Sequence, residues 1–316
     1  MNGKYTIGVD AGGTKVAYCV FDESGKVVDR LQHRTDTNAD GVAFSDTVIS
    51  TIEAILKKNS LAVNDLTGIG IVMPSFLLFD RGYVCMTSAM TNICEFPMRD
   101  YIAQRINTKI VLDNDSNVAA LAEFRYGAGR GSRHMVYVSV STGLGCGIVI
   151  SGRVFRGSYG WAGECGHMLI TPDEGLTCGC RNKGCFMSYA SGRYIVEHVK
   201  NRLAQGDMSV LSQADISGET IMAACNAGDA LAKDAVRQLS HYLAVCVFNI
   251  YQLLNINLFV FGGGLTNCGE ALFGAMREEF DRYNHVAQPV EFRFAELGRD
   301  TGVIGAAELV KEADIV

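Results

Sequence analysis

The apolar positions along this chain follow two periods, and the switch between them marks out the elements. Residues 5–9, Tyr-Thr-Ile-Gly-Val, predict a buried strand, and the apolar run at residues 16–21 predicts a second one after a glycine turn. The polar stretch Asp22-Glu23-Ser24-Gly25-Lys26 reads as a hairpin, and residues 27–34 return as a third strand. Over residues 41–58 the period changes. Val48, Ile49, Ile52, Ile55 and Leu56 fall on one stripe at helical spacing, which predicts a helix with a single buried face. Further along, residues 68–72 predict a strand, 98–106 a short helix, and 110–112 a strand that delivers Asp113-Asn114-Asp115 at its carboxyl end. Residues 116–126 read as helix, 135–141 and 147–150 as strands around a second glycine turn, 230–254 as a long striped helix and 258–261 as a buried strand. A last helix is predicted near 302–312.

Strands alternating with helices imply an α/β architecture. Val9-Asp10-Ala11-Gly12-Gly13-Thr14 is echoed by Val140-Ser141-Thr142-Gly143-Leu144-Gly145, so two similar lobes are expected, each organised around a glycine turn. The 316 residues suit two such lobes. With no linker rich in Pro or Ser, the pattern puts the junction near Asp115. The first lobe then spans 1–115, completed by a helix at about 300–316, and the second spans 116–299.

Charge and composition narrow the partners. A net charge of -6 without a basic cluster argues against nucleic acid. No apolar run approaches the roughly 20 residues of a membrane span, and the amino terminus has no signal-peptide core, so a cytoplasmic protein that does not engage a membrane is expected. Of eleven cysteines, three crowd together at Cys178, Cys180 and Cys185; in a reducing compartment such a group points to metal more than to disulfides.

Four constellations carry candidate chemistry. The turn Asp10-Ala11-Gly12-Gly13-Thr14-Lys15 offers backbone N–H groups to phosphate oxygens with little side-chain obstruction. A plain hairpin uses Gly-Gly as well, but an acidic residue beside a phosphate cradle suggests Mg²⁺. Thr142, Gly143 and Gly145 form a second such turn, and Gly262-Gly263-Gly264 a third at a strand's end, where a flat base can approach the backbone. Together they suggest a nucleotide site, while the absence of G-x-G-x-x-G opening a helix argues against a dinucleotide fold.

Asn114-Asp115 sits at a strand-to-helix junction. Either residue suits a helix cap, and Asp115 also suits a base taking a proton from an attacking hydroxyl; both roles are compatible if Ser116 takes the cap. His167 with Cys178, Cys180 and Cys185 supplies one imidazole and three thiolates, a tetrahedral structural zinc set, against the alternative of free thiols. Glu164, three residues before His167, is either a surface glutamate or a carboxylate aimed by that metal loop.

These segments resemble the ROK family of sugar kinases and sugar-responsive repressors, in the family's order over nearly the whole chain. The resemblance rests on GVDAGGTK from Gly8, DNDSNVAALAE from Asp113, STGLGCG, GECGH, the three-cysteine loop, FGGG from Phe261 and TGVIGAA from Thr301. It implies an actin-like, hexokinase-type two-lobed fold with a central cleft, and ATP-dependent phosphorylation of a hexose or hexose derivative, commonly at the 6-hydroxyl. Asp115 would be the catalytic base, Asn114, Glu164 and His167 sugar contacts, and His167, Cys178, Cys180 and Cys185 the zinc ligands. ATP, Mg²⁺ and a structural Zn²⁺ are the implied cofactors, and a homodimer the implied assembly. With the phosphate strand beginning at Tyr5, the DNA-binding domain of the repressors is not expected.

Three positions depart from the family pattern, all on the sugar side. Met187 stands where a glutamate follows the last zinc cysteine by two residues. Ser75-Phe76 replaces the glycine after Pro74. The asparagine of the family's A-P-N-L segment falls at Ala89, with Asn92 as the alternative three residues on. A more apolar pocket with fewer hydrogen-bonding partners implies an altered sugar preference. It also motivates a second reading, a sugar-binding sensor without catalysis.

Overall fold

The computed structural model describes residues 4–211, 215–286 and 288–312; the parts of the expected lobes that fall on other positions, including 1–3 and 313–316, lie outside the described residues. In chain order the first elements are β1 (Tyr5–Ala11), β2 (Lys15–Asp22), β3 (Val27–Arg34), α1 (Gly41–Lys58), β4 (Leu66–Met73), β5 (Ser75–Leu78), β6 (Tyr83–Thr87) and β7 (Cys94–Phe96). Next come α2 (Met98–Ala103), β8 (Ile110–Asn114), α3 (Asp115–Tyr126), β9 (Met135–Val140), β10 (Leu144–Ile150) and β11 (Arg153–Val154). The remainder holds α4 (Gly192–Ala204), α5 (Gly218–Asn226), α6 (Ala230–Leu254), β12 (Leu258–Gly262), α7 (Glu270–Tyr283), β13 (Glu291–Phe294) and α8 (Thr301–Glu312).

Two compact units divide the chain. The first takes Met1–His134, Gly147–Gly163 and Glu296–Val316; the second takes Met135–Cys146 and Glu164–Ala295. Residues 116–134 therefore belong with the first unit.

In the first unit a sheet runs in the order β3-β2-β1-β4-β8. Its first three strands are joined by hairpins and pair antiparallel, while β4 and β8 return parallel after helical crossovers. The alternation along β1 decides what covers each face. Ile7, Val9 and Ala11 join the core that includes Phe44, Val48, Ile52 and Ile55 of α1 and Ile102 of α2. Each such aliphatic side chain contributes about 1.5–3 kcal/mol by leaving water. Asp40 starts α1 by accepting a hydrogen bond from the Ala43 N–H at 2.8 Å.

On the opposite face Gly8 and Gly70 let α8 lie directly on the sheet. A Cβ at Gly8 would come within 2.1 Å of the Val303 carbonyl oxygen, and one at Gly70 within 1.7 Å of the Ala306 carbonyl oxygen. The carboxyl-terminal helix thus seals the sheet that the amino terminus begins. A separate antiparallel sheet, β5-β6-β7, follows Pro74; its short strands of mixed Ser, Thr, Cys and Met carried no clear period in the sequence.

In the second unit β12 lies between β9 and β13 and runs parallel to both. α6 buries Leu231, Ala235, Leu239, Leu243, Cys246, Val247 and Ile250 along one stripe and packs against α4, α5 and α7. Phe261, Phe273, Phe280 and Phe292 interlock beside it, with Phe261 and Phe273 ring centroids 5.0 Å apart.

Candidate functional site

Two neighbouring carboxylates, Asp10 and Asp115, mark the first unit. β1 carries Asp10 next to last, and the turn after it is a true hairpin closed by the Gly12 N–H donating to the Lys15 carbonyl at 3.0 Å. The Thr35 hydroxyl donates to the Gly12 carbonyl at 2.7 Å, and the Thr35 N–H to the Thr14 carbonyl at 3.1 Å. The N–H groups of Gly13 and Thr14 sit on exposed residues with no strand partner in the β1–β2 register. The hairpin reading of this turn is therefore compatible with open N–H groups that a ligand could meet. Burial first, then the charge of Asp115, raises the Asp10 carboxyl to about 6, and Lys15 partly offsets them. Gly302 is what lets Asp10 sit there, since a Cβ on it would come within 2.3 Å of Asp10 Oδ2. The TGVIGAA segment thus packs against the end of β1.

β8 runs two residues further than its apolar run indicates, and α3 starts at Asp115 itself. The cap is Asn114, whose side-chain oxygen accepts the Asn117 N–H at 2.8 Å, so Asp115 is left free of that role without Ser116 taking the cap. Asn114 Oδ1 is therefore committed, leaving its amide as the group that can meet a ligand. Asp115 accepts the Ser116 N–H at 2.9 Å. Its side chain keeps access to solvent, yet the surrounding protein mass raises its pKa, with desolvation leading and Asp113 adding to it.

The sequence marks Asp113 only as part of a strand end, and nothing in it points to Arg156. Asp113 is buried, and Arg156 Nε donates to its Oδ2 at 2.7 Å. No local spacing announces Arg156, because its carboxylate partners lie 43 and 156 residues away in the chain.

Among the positions that depart from the family pattern, Ala89 lies beside Gly13, where a Cβ would meet the Ala89 Cβ at 2.9 Å. Asn92 donates instead to the Asn38 carbonyl at 2.8 Å, so the alternative asparagine is engaged elsewhere. Phe76 meets Trp161 edge-on at 5.8 Å, and the Trp161 indole N–H donates to the Leu77 carbonyl at 3.0 Å. The segment after Pro74 is thus walled by rings.

The second unit holds the other glycine turns. Between β9 and β10, the Ser141 N–H donates to the Gly143 carbonyl at 3.0 Å. The first N–H groups of α4, on Gly192 and Arg193, donate to the Ser141 and Thr142 carbonyls at 2.7 and 3.2 Å. Gly263 has φ +91°, and a Cβ there would come within 2.5 Å of the Val140 carbonyl oxygen, so the third turn seats directly on the second. Gly262 packs against Tyr137 for its own reasons, which leaves Gly264 as the open glycine of the three. Met187 fills the space between the second turn and the GECGH segment: its methyl carbon would lie 3.5 Å from a Cβ at Gly143 and 3.0 Å from one at Gly166.

The four expected metal ligands converge. The donor atoms of His167, Cys178, Cys180 and Cys185 all lie within 4.8 Å of one another. His167 Nδ1 is 3.4 Å from Cys178 Sγ, and Cys180 Sγ is 3.6 Å from Cys185 Sγ. A tetrahedral centre with bonds of about 2.1–2.3 Å needs donor edges of about 3.4–3.8 Å, so the set fits such an ion. Backbone bridges between Leu169 and Cys185 and between Thr177 and Lys183 hold the loop. Burial lowers the His167 pKa, favouring the neutral ring that binds metal. Its Nε2 lies 3.8 Å from Glu164 Oε2. One imidazole therefore faces the cysteines with one nitrogen and the GECGH carboxylate with the other.

The ROK family model matches residues 6–313. A glucokinase of Halalkalibacterium halodurans is 31% identical over 99% of this chain and 97% of its own length. The ROK hexokinase structure from Thermus thermophilus superposes with a TM-score of 0.84 at 29% identity, covering 98% of this chain and 99% of that one. A ROK family glucokinase from Streptomyces griseus, solved with glucose and AMPPNP, gives 0.78 at 30% identity over 98% and 99% of the two chains. The α/β fold is accordingly of the actin-like, hexokinase type that the motifs implied. Matched from its first strand to its last helix, the chain belongs to the ROK family.

Proposed function

We propose that this protein is an ATP-dependent kinase for a hexose or hexose derivative. The observation that carries the reading is the Asp10–Asp115 pair beside the glycine turn, within a chain whose family relatives include glucokinases. Two carboxylates within electrostatic reach of each other, one raised to about 6, suit a bound cation and a proton acceptor. Asp10 fits the first role. It would hold Mg²⁺, directly or through water, and the ion would neutralise charge on the transferred phosphoryl group. Asp115 fits the second: it accepts the proton of the sugar hydroxyl, commonly the 6-hydroxyl, as that oxygen bonds to the γ-phosphorus and ADP leaves. A raised pKa makes Asp115 a stronger acceptor than an ordinary carboxylate, provided the pH is high enough to ionise it.

Gly12, Gly13, Thr14 and Lys15 would cradle phosphate oxygens from the first unit. Thr142, Gly143 and Gly145 are a second set of phosphate contacts in this reading, with Gly262, Gly263 and Gly264 beside the base. Asn114, Glu164 and His167 would bind sugar hydroxyls. The donor spacing of His167, Cys178, Cys180 and Cys185 supports a structural Zn²⁺ that fixes the segment bearing Glu164. A cytoplasmic homodimer is the assembly we assign to it, in keeping with the family resemblance; among the described residues no helix is long and apolar enough to cross a membrane.

The test is a panel of hexoses and N-acetylhexosamines with ATP, read as sugar phosphate by mass spectrometry. At least one sugar is expected to yield product, and Asp115→Ala should reduce kcat by about 10³-fold or more. Binding of sugar without product across the panel would instead establish a sensor. Zinc is checked separately: one equivalent should be released on denaturation, and prior removal by a chelator should lower Tm by several degrees.

A further inference from the structure

Arg156 sits where four segments of the first unit meet, and each meets it through a different part of the guanidinium. Its Nε donates to Asp113 Oδ2 at 2.7 Å, and one terminal nitrogen donates to Glu312 Oε2 at 2.6 Å. The other terminal nitrogen donates to the Val154 carbonyl at 3.5 Å, and the planar face covers the Phe79 ring at 4.0 Å. Glu312 is itself fixed, its Oε1 accepting the Val154 N–H at 3.1 Å. The Arg156 side chain is only 14% exposed, and those of Asp113 and Glu312 are 1% and 7% exposed. This is a closed ionic cluster, unlike a surface pair that water loosens.

The cluster ends at the reacting residue. Asp113 uses its other oxygen, Oδ1, to accept the Asn114 N–H at 2.8 Å and the Asn117 side-chain amide at 3.0 Å. Asn117 in turn donates its N–H to the Asn114 side chain at 2.8 Å. Residues 113–117 are therefore laced into one turn, and Asp115 is the member that projects from it. β5 begins just after Met73, the register partner of Asn114, and the Phe79 ring under Arg156 follows β5 directly. The same guanidinium thus braces the segment after Pro74.

From this geometry we infer that Arg156 is a positioning residue for the phosphoryl transfer: it holds Asp113, and through Asp113 the backbone that aims Asn114 and Asp115. The inference rests on the kinase reading above. It requires a planar fork, because Nε and a terminal nitrogen reach carboxylates on different segments at once. An ammonium keeps the charge and cannot span both.

Arg156→Lys and Arg156→Ala test it, alongside the wild-type protein, with the best sugar of the panel. Arg156→Lys should fold, keep its KM for ATP within about twofold, and lose kcat by about tenfold to a hundredfold, the cost of a small misplacement at a reacting group. In Arg156→Ala, millimolar methylguanidinium should restore part of kcat, whereas methylammonium should not. Wild-type kcat in Arg156→Lys overturns the positioning role. So does a loss that tracks only the unfolded fraction in a thermal melt, or rescue by both amines alike. A wild-type protein without turnover overturns the kinase reading and this inference together, whereas turnover in wild type with an unaffected lysine variant overturns this inference alone.

Discussion

At the residue scale the sharpest feature is an acid held against its ordinary preference. Asp10 titrates near 6 in the fold, above the ordinary 3.8, because burial and Asp115 disfavour its charge. The folded protein therefore binds this proton more tightly than the unfolded chain does. The associated stability is present below about pH 4 and is lost as pH rises through about 6. At pH 7 the ionised carboxylate opposes folding by about 2–3 kcal/mol. Asp10→Asn should raise the denaturant midpoint at pH 7, leave it nearly unchanged at pH 4, and abolish turnover. Equal stability of the two proteins at pH 7 would mean that Asp10 is not held as a destabilised anion. The sequence made Asp10 and Asp115 visible as acids at strand ends, but their proximity belongs to the parallel register of β1, β4 and β8.

Within and between elements, helix propensity and pattern account for where the chain bends, and buried polar groups account for why it stays. The stripe on α1 and the apolar face of α6 were legible because helical spacing is a local property, and both helices keep the expected bounds. Glu123 shows the other case. It lies in a helix of weak amphipathic character and is fully buried. Its oxygens accept the N–H groups of Ala128 at 2.9 Å, Glu296 at 3.1 Å and Leu297 at 2.9 Å. Glu123→Ala would strand three backbone donors, two of them more than 170 residues away in the chain. A loss of about 2–4 kcal/mol is expected, read by urea denaturation. A change below about 0.5 kcal/mol would show that water replaces the carboxylate. The β5-β6-β7 sheet escaped the sequence for a related reason: strands this short take their pairing from neighbours more than from their own alternation.

At the scale of the whole molecule, the chain's end completes what its beginning starts. α8 packs on β1, β4 and α3 through glycines that leave no room for side chains. Removing residues 296–316 would uncover that face of the sheet and free the carboxylate cluster of Asp113 and Arg156 from Glu312. Such a truncation should leave the first unit unfolded or aggregated, seen as lost helical circular dichroism and rapid proteolysis within residues 1–134. A protease-resistant first unit in the truncated protein would contradict the role given to α8.

α4, α5, α7 and β13 were not read from the sequence; what it determined by itself is the α/β class, the striped helices α1 and α6, the strands flanking the glycine turns and the four residues whose donor atoms converge. These are set by local rules of period, turn chemistry and donor type, which act within a few residues. The tertiary structure alone decided that Asn114 and not Ser116 caps α3, that Asn92 is spent on Asn38, and that Gly302 makes space for Asp10. It alone placed Arg156 against Asp113, at the end of the strand that precedes the proposed base. The cap is settled within one turn, but the other three depend on groups far apart in the chain competing for the same hydrogen bond or the same small space in a close-packed interior. No local pattern records the winner of such a competition.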